Sequence, residues 1–371
     1  MKICIYGAGA IGGYMGVMLK RGGHDVSLVA RGAHLEAIKA KGLTLILKHE
    51  TVTEAMPASR DPRDLGRQDV VIIALKAHQA WEAAEDIKPL LGPDTAVVTA
   101  QNGVPWWYFH GLDGEYADRR LRSVDPGDRQ WRAIGPERII GCTVYPATEI
   151  LEPGVVKHVY GDQFGLGEPN RRESQRLTRF ADALTEGGLK PRLFSDIRDD
   201  IWLKLWGNLC FNPISALTHA TLDVIATEPG TRALARSMML EAQAIGETLG
   251  AHFRVDVDRR IDGAAGVGAH RTSMLQDLDK RRPLEIDALL TAVQEMGRLV
   301  KLDTPYIDAV LGLVQQMGRA EGVYPTVPQD MSGRAQDASS EEKDAYPQET
   351  SQPETRAADR PAVDERQLAV S

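Results

Sequence analysis

Cysteine is scarce in this chain. Only Cys4, Cys142 and Cys210 occur among 371 residues. None stands at metal-ligand spacing from another, and an odd count does not suit a disulfide framework. Cys4 and Cys210 lie in apolar runs, where a buried free thiol is expected. A reducing, cytoplasmic compartment and no bound metal follow as expectations. Long apolar runs are missing too. No stretch of about 18 uninterrupted apolar residues exists, so no membrane-spanning helix is expected. The opening Met1-Lys2-Ile3-Cys4-Ile5-Tyr6 has neither the length nor the cleavage site of a signal peptide. Positive charge is in deficit, with a formal net charge of -8. That balance disfavours nucleic acid and anionic membranes as partners, while a local basic pocket for a small anion stays open.

What remains is an ordinary globular composition, 43% hydrophobic and 26% charged. The length suits two domains with additions. Short apolar runs at Lys2 to Tyr6, Val26 to Ala30, Asp69 to Leu75 and Thr95 to Ala100 read as strands. Helical patterns follow them, through Lys20 and over residues 34–41 and 79–91. This alternation predicts an α/β, doubly wound parallel sheet. Residues 105–135 break the rhythm with Trp106-Trp107-Tyr108-Phe109-His110 and a charged stretch, and read as an insertion. Strand signals resume at Ile139 to Tyr145, Val155 to Val159, Phe164 to Leu166 and Lys190 to Phe194, with a helix over 172–186. After Asp196 the pattern turns helical over 197–211, 231–250, 272–281, 284–302 and 304–318. The expected organisation is an α/β domain over 1–195, an all-α domain over 196–327, and a disordered acidic tail over 328–371.

The first strand runs into Gly7-Ala8-Gly9-Ala10-Ile11-Gly12, which then opens a helix. In this strand-to-helix setting the pattern is the Rossmann dinucleotide fingerprint. Gly7 permits the tight turn, Gly9 lets backbone approach a pyrophosphate, and Gly12 lets helix and strand pack closely. The helix N-terminus offers N–H groups and a positive dipole to phosphates. An NAD site would place Asp or Glu about 20 residues on, at the end of the second strand. Here Ala30-Arg31 stands there, with His34 nearby. A guanidinium can grip a 2′-phosphate that a carboxylate would repel, so NADP(H) is the expected cofactor. Lys76 and Asn102 lie just past the third and fourth strands, on the rim where such folds bind ligands. Asn102-Gly103 is also a favoured turn dipeptide.

In the second half, Lys204, Asn208 and Asn212 are spaced i, i+4, i+8 within an apolar helix. They form one polar stripe. Buried, the stripe needs partners that a substrate carboxylate and hydroxyl would supply; a solvent-facing row fits the spacing equally well. Pro213 is expected to kink or restart this helix. Ser273 with Gln276 fits a capping box, and Pro283 fits a first helical position that puts Glu285 in the first turn. Spacing alone makes neither residue catalytic.

Together these residues resemble the ketopantoate reductase (2-dehydropantoate 2-reductase) family. The resemblance rests on Gly7 to Gly12, Arg31, Leu75-Lys76-Ala77, Gln101-Asn102-Gly103, Glu152-Pro153-Gly154, Lys204-x3-Asn208-x3-Asn212-Pro213, and Ser273-Met274-Leu275-Gln276-Asp277 with Glu285-Ile286-Asp287. It spans residue 1 to about 325, apart from the insertion. It implies NADPH-dependent reduction of 2-dehydropantoate to (R)-pantoate, a step toward pantothenate and coenzyme A, in a homodimer formed through the helical domain. Lys204 is implied as general acid, Asn208 and Asn212 as substrate-holding, Ser273 as the carboxylate ligand, and Glu285 as a neighbour of Lys204 and the cofactor ribose. One position departs. Leu222 stands where the family's best-known members carry a further asparagine, which keeps another small 2-oxo acid or related carbonyl compound open as substrate. A non-catalytic NADP(H)-sensing protein is the reading from another class, and the alignment of Lys204 with Asn208 argues against it. The insertion follows directly on Asn102, and a lid over the nicotinamide pocket, a plug against the helices or a subunit contact are its candidate roles.

Overall fold

The computed structural model describes residues 1–324, so the expectation for the tail falls outside the described residues. The first strand, β1 (Lys2–Tyr6), is buried at every position but its first. A strand covered on both faces needs a continuous apolar run, and this is what its sequence supplies. Next come β2 (Asp25–Val29), β3 (Leu43–Ile46), β4 (Thr51–Glu54), β5 (Ala58–Ser59), β6 (Gln68–Ile73) and β7 (Leu91–Ala100). The remaining strands are β8 (Ile139–Val144), β9 (Ala147–Glu152), β10 (Val155–Tyr160), β11 (Gln163–Gly167) and β12 (Lys190–Leu193). Eight of them form the main sheet in the order β12-β11-β8-β7-β6-β1-β2-β5. Its core is parallel, as expected, but β11 runs antiparallel to β8, so the sheet is mixed. The β9–β10 hairpin between Tyr145 and Asp162 returns the chain beside β8 without a crossover helix, which is why the direction reverses.

A second sheet has the order β4-β3-β10-β9; of its strands only β10 was read in the sequence, as Val155 to Val159. It lies over the first helix, Ala10–Arg21, where Gly13 makes room: a Cβ there would sit 2.9 Å from Val156 Cγ2. Gly12 faces the other way, and its Cβ would lie 2.1 Å from the Gly7 carbonyl oxygen. The first helix is thus clamped between two sheets through two adjacent glycines. The helix expected over 79–91 is instead two short turns, Ala77–Ala80 and Ala84–Ile87, because β7 begins at Leu91.

Beyond Asp196 the described chain is helical. Its central element, Ile197–Thr218, is buried along nearly its whole length. It runs on through Pro213 without restarting, because Ile214, Ser215 and Ala216 after the proline are themselves buried. Around it pack helices Leu222–Thr227, Pro229–Thr248, Val257–Ala265, Ser273–Asp279, Ala292–Leu299 and Pro305–Ala320. The helix expected from residue 284 begins at Ile286 and runs through a π-helical stretch, Asp287–Thr291, into Ala292–Leu299.

The insertion is a plug rather than a lid. Trp106, Trp107, Tyr108 and Phe109 are all buried. Trp107 donates to Thr99 Oγ1 at 2.9 Å, and Trp202 of the central helix donates to the Tyr108 hydroxyl at 2.7 Å. Arg198 is 1% exposed and donates to the carbonyls of Tyr108 (2.8 Å), His110 (2.6 Å) and Pro169 (2.8 Å). Glu295 accepts from the backbone of Arg122 and Ser123 farther along. This buried aromatic area and these ties pack the segment against the helical half. Arg198→Met leaves those carbonyls without their donor, and a loss of about 3 kcal/mol is expected, since hydrogen bonds to charged groups are worth more than neutral ones. The urea midpoint reads it directly; an unchanged midpoint would show that Arg198 does not hold the insertion.

Candidate active site

A cleft of about 530 Å³ runs along the carboxyl ends of the main-sheet strands and is closed on its far side by the helical half. Gly7, Gly9, Ala10 and Ile11 line it, while Ala8 and Gly12 of the same motif are buried and do not. Gly7 adopts φ +102, which favours glycine. A Cβ at Gly9 would meet nothing within 4 Å, so no protein contact requires glycine there. The absent side chain leaves open the face on which a pyrophosphate would approach. The first helix begins at Ala10 with no side-chain cap, so its leading N–H groups lack a protein carboxylate or hydroxyl from a cap and are offered to the cleft. These features fit a dinucleotide.

Arg31 is the exposed first boundary residue of helix Gly32–Lys41, directly after β2, and no carboxylate occupies that strand end. Its guanidinium reaches the Tyr6 hydroxyl rather than the cleft wall. His34 is structural: its ring hydrogen-bonds the Ala8 carbonyl at 2.7 Å and the Gly154 N–H at 3.0 Å. It thereby ties the glycine turn to the β9–β10 turn, which accounts for Glu152-Pro153-Gly154. The hairpin this turn closes brings Thr148, Glu149 and Ile150 into the cleft wall. No sequence motif marked these three, because their strand was not recognised.

Lys76 is half-buried and spans the cleft. Its amine donates to Asp277 at 2.6 Å and to the Pro283 carbonyl at 2.8 Å. It therefore joins the two halves of the molecule as well as lining the cleft, and Asp277 is the partner that sequence reading did not single out.

The stripe on helix Ile197–Thr218 is wholly buried. Lys204 is 4% exposed and Asn208 and Asn212 are 2% exposed, which removes the solvent-facing reading. The Lys204 amine donates to Asn102 Oδ1 at 2.8 Å and to the Val144 carbonyl at the end of β8. It also stands over the Tyr145 ring, 5.6 Å from its centroid. Burial pushes the ammonium down to about 8, against the opposing pull of Cys142, Asp200 and Glu285. Asn102 joins two groups. Its side chain also hydrogen-bonds Glu285, whose carboxyl burial pushes up. One amide cannot both accept from an ammonium and bond a carboxylate unless its oxygen faces Lys204 and its nitrogen faces Glu285. The turn role of Asn102-Gly103 holds as well: Gly103 has φ +87, and Val104 donates to the Ala288 carbonyl at 2.8 Å.

Glu285 is not in a helical first turn. It stands just ahead of the helix, where it accepts from the Ala77 N–H at 3.3 Å and reaches Asn102. The cap of helix Ser273–Asp279 is Thr272 instead of Ser273: Thr272 accepts from Leu275 N–H at 3.3 Å. Ser273 is thus free to face the cleft, and Asn212 donates to its hydroxyl at 3.3 Å. Leu222 is 3% exposed within the apolar core. Among the described residues no group of side chains could hold a metal ion.

Two family models match this chain. One, for ketopantoate reductase PanE/ApbA, covers residues 3–171; the other, for the C-terminal part of the same protein, covers residues 196–318. A 2-dehydropantoate 2-reductase of Mesorhizobium japonicum is 57% identical over 308 residues, 83% of this chain and 94% of that protein. A crystal structure from Ralstonia solanacearum MolK2, assigned to the ketopantoate reductases, is 42% identical with a TM-score of 0.84, covering 87% of this chain and 99% of that one. A 2-dehydropantoate 2-reductase structure from Geobacter metallireducens is 30% identical with a TM-score of 0.74, covering 85% and 100%. With a glycine turn and Asn102 on one cleft, a buried lysine bonded to that asparagine, and both models matched, the chain belongs to the ketopantoate reductase family of oxidoreductases.

Proposed function

We propose that this chain reduces 2-dehydropantoate to (R)-pantoate with NADPH. The family is one of pyridine-nucleotide-dependent reductases. The finer assignment is carried by one observation, the 2.8 Å hydrogen bond from the Lys204 amine to Asn102. It sets a proton donor on the rim that a dinucleotide seated on Gly7 to Gly12 would reach. When bound, the reduced nicotinamide supplies the hydride to the C2 carbonyl carbon.

Negative charge then develops on the carbonyl oxygen, and the Lys204 ammonium is the donor placed to stabilise it and pass it a proton. Asn102 and the Val144 carbonyl hold that amine, and Glu285 orients Asn102. Asn208 and Asn212 continue the polar row toward Ser273, whose hydroxyl, with the Asn212 amide, would hold the substrate carboxylate. The stretch from Lys204 to Asn212 is about 12 Å of helix, enough for a small 2-oxo acid. Arg31 stands where a 2′-phosphate would lie, and Lys76 near the ribose. A homodimer through the helical half completes the reading.

NADPH consumption with 2-dehydropantoate, against a panel of 2-oxo acids, tests the assignment. Highest kcat/KM on 2-dehydropantoate supports it; a better panel member replaces the substrate, and NADPH binding without turnover favours a sensor. Lys204→Ala is expected to cut kcat by about a thousandfold, the scale of general acid catalysis, with NADPH affinity kept. Near-wild-type turnover in that variant would remove Lys204 from the chemistry.

The reduction needs Lys204 protonated. The kcat of the wild-type enzyme should therefore fall as pH rises through about 8. A rate flat to pH 10 would contradict this. Arg31→Glu is expected to weaken NADPH binding by 10–100-fold, on the order of one charge-assisted hydrogen bond, with NADH binding little altered. Equal NADPH affinity in the variant would take Arg31 out of the site.

A further inference from the structure

One turn before Lys204 on the central helix stands Asp200, a carboxylate that the reduction outlined above does not use. It is 4% exposed. A charge taken out of water is tolerated only where bonds compensate it. The Tyr145 hydroxyl donates to its Oδ1 at 2.8 Å, and the Thr143 hydroxyl donates to its Oδ2. Both oxygens therefore accept, as they do in the ionised form. Burial pushes this carboxyl up, while the two hydroxyls, Arg192 and Lys204 pull it back down.

Thr143 and Tyr145 flank Val144 at the end of β8. Residues two apart on a strand share a face, so one carboxylate can hold both side chains. The residue between them carries the carbonyl that accepts from the Lys204 amine. Asp200 thus grips the strand end on either side of a lysine acceptor. It does so from the helix that bears the lysine, at the i, i+4 spacing that puts both on one face. Tyr145 serves twice, since the Lys204 ammonium also stands over its ring.

The neighbouring strand gives way to this arrangement. A Cβ at Gly165 of β11 would run into both Asp200 Oδ2 and Thr143 Oγ1. Gly165 has no positive φ, so its backbone does not call for glycine. The missing side chain is what admits the carboxylate and its hydroxyl. Asp200 also lies in the first turn of its helix, where any carboxylate favours the dipole. That role needs neither hydroxyl and no glycine on β11.

We propose that Asp200 is a positioning residue for the reduction: through Thr143 and Tyr145 it fixes the Val144 carbonyl against the Lys204 amine, and it sets a negative charge near that amine. The role rests on Lys204 being the general acid. The other titratable groups that bear on the amine are Cys142 from β8 and Glu285 from the helical half. Burial pushes the Cys142 thiol up to about 12, so it stays neutral through the working range. Arg192 and Arg260 bear on Tyr145 from two further elements.

The test measures kcat against pH, NADPH affinity and the urea midpoint for wild type, Asp200→Asn, Thr143→Val and Tyr145→Phe. In Asp200→Asn the ammonium loses an anion and gives up its proton more readily. The falling limb of kcat, near pH 8 in wild type, should therefore move to lower pH. Thr143→Val and Tyr145→Phe keep the charge but loosen the strand end. Each should lose about tenfold or more in kcat, the scale of a slightly misplaced catalytic group, with NADPH affinity kept. The two hydroxyl variants decide the matter if Asp200→Asn does not fold. Full kcat in both of them overturns the proposal. So does a limb left in place in a folded Asp200→Asn, where a lower urea midpoint alone would mark a helix-start role. Activity retained in Lys204→Ala defeats the general acid and this role together, whereas a wild-type limb that Asp200→Asn does not move defeats this role alone.

Discussion

The buried ammonium of Lys204 is the constraint that organises this molecule. Removing such a charge from water is costly, and the cost is met only by acceptors already in place. Asn102 Oδ1 comes from the turn after β7, the Val144 carbonyl from the end of β8, and the lysine itself from the helical half. Three separate pieces of chain must therefore arrive at one point. The mixed sheet brings β7 and β8 side by side in parallel, so both deliver their carboxyl ends to the same edge.

The contact between the two halves serves the same end. Gly103 presses so closely on the helical side that a Cβ would lie 2.4 Å from the Ala288 carbonyl oxygen. The neighbouring Lys76–Asp277 pair adds a charged tie across the cleft, and partial exposure makes it a modest contributor to stability. Its effect is geometric: it sets the width of the space between the glycine turn and Ser273. Glu285 works at the same seam, holding Ala77 on one side and Asn102 on the other.

Legibility in the sequence followed the strength of local patterns. The glycine motif was readable because Gly7 needs a positive φ and Gly12 a Cβ-free approach to the Gly7 carbonyl, local demands that only glycine meets. The buried core strands were readable as unbroken apolar runs. In the second sheet only β10 was read, because β4 is four residues long and both β4 and β9 are partly exposed, without an apolar run. Ser273 and Glu285 illustrate a subtler failure. Each fitted a helix-start signal, yet Thr272 took the cap and the helix begins only at Ile286, just after Glu285. Both face the cleft. The Val144 carbonyl left no trace at all, since every residue has one.

The insertion reverses the usual link between long loops and mobility. Its aromatic run sits at the joint between β7 and the central helix, and Arg198 spends its donors on insertion and neighbouring carbonyls. A buried guanidinium is tolerated only where such acceptors are fixed, so the segment and the helix bearing Lys204 order each other. Rigid packing over the reaction centre would gain nothing by closing, but it can shape the space behind the lysine with an accuracy that a moving lid lacks.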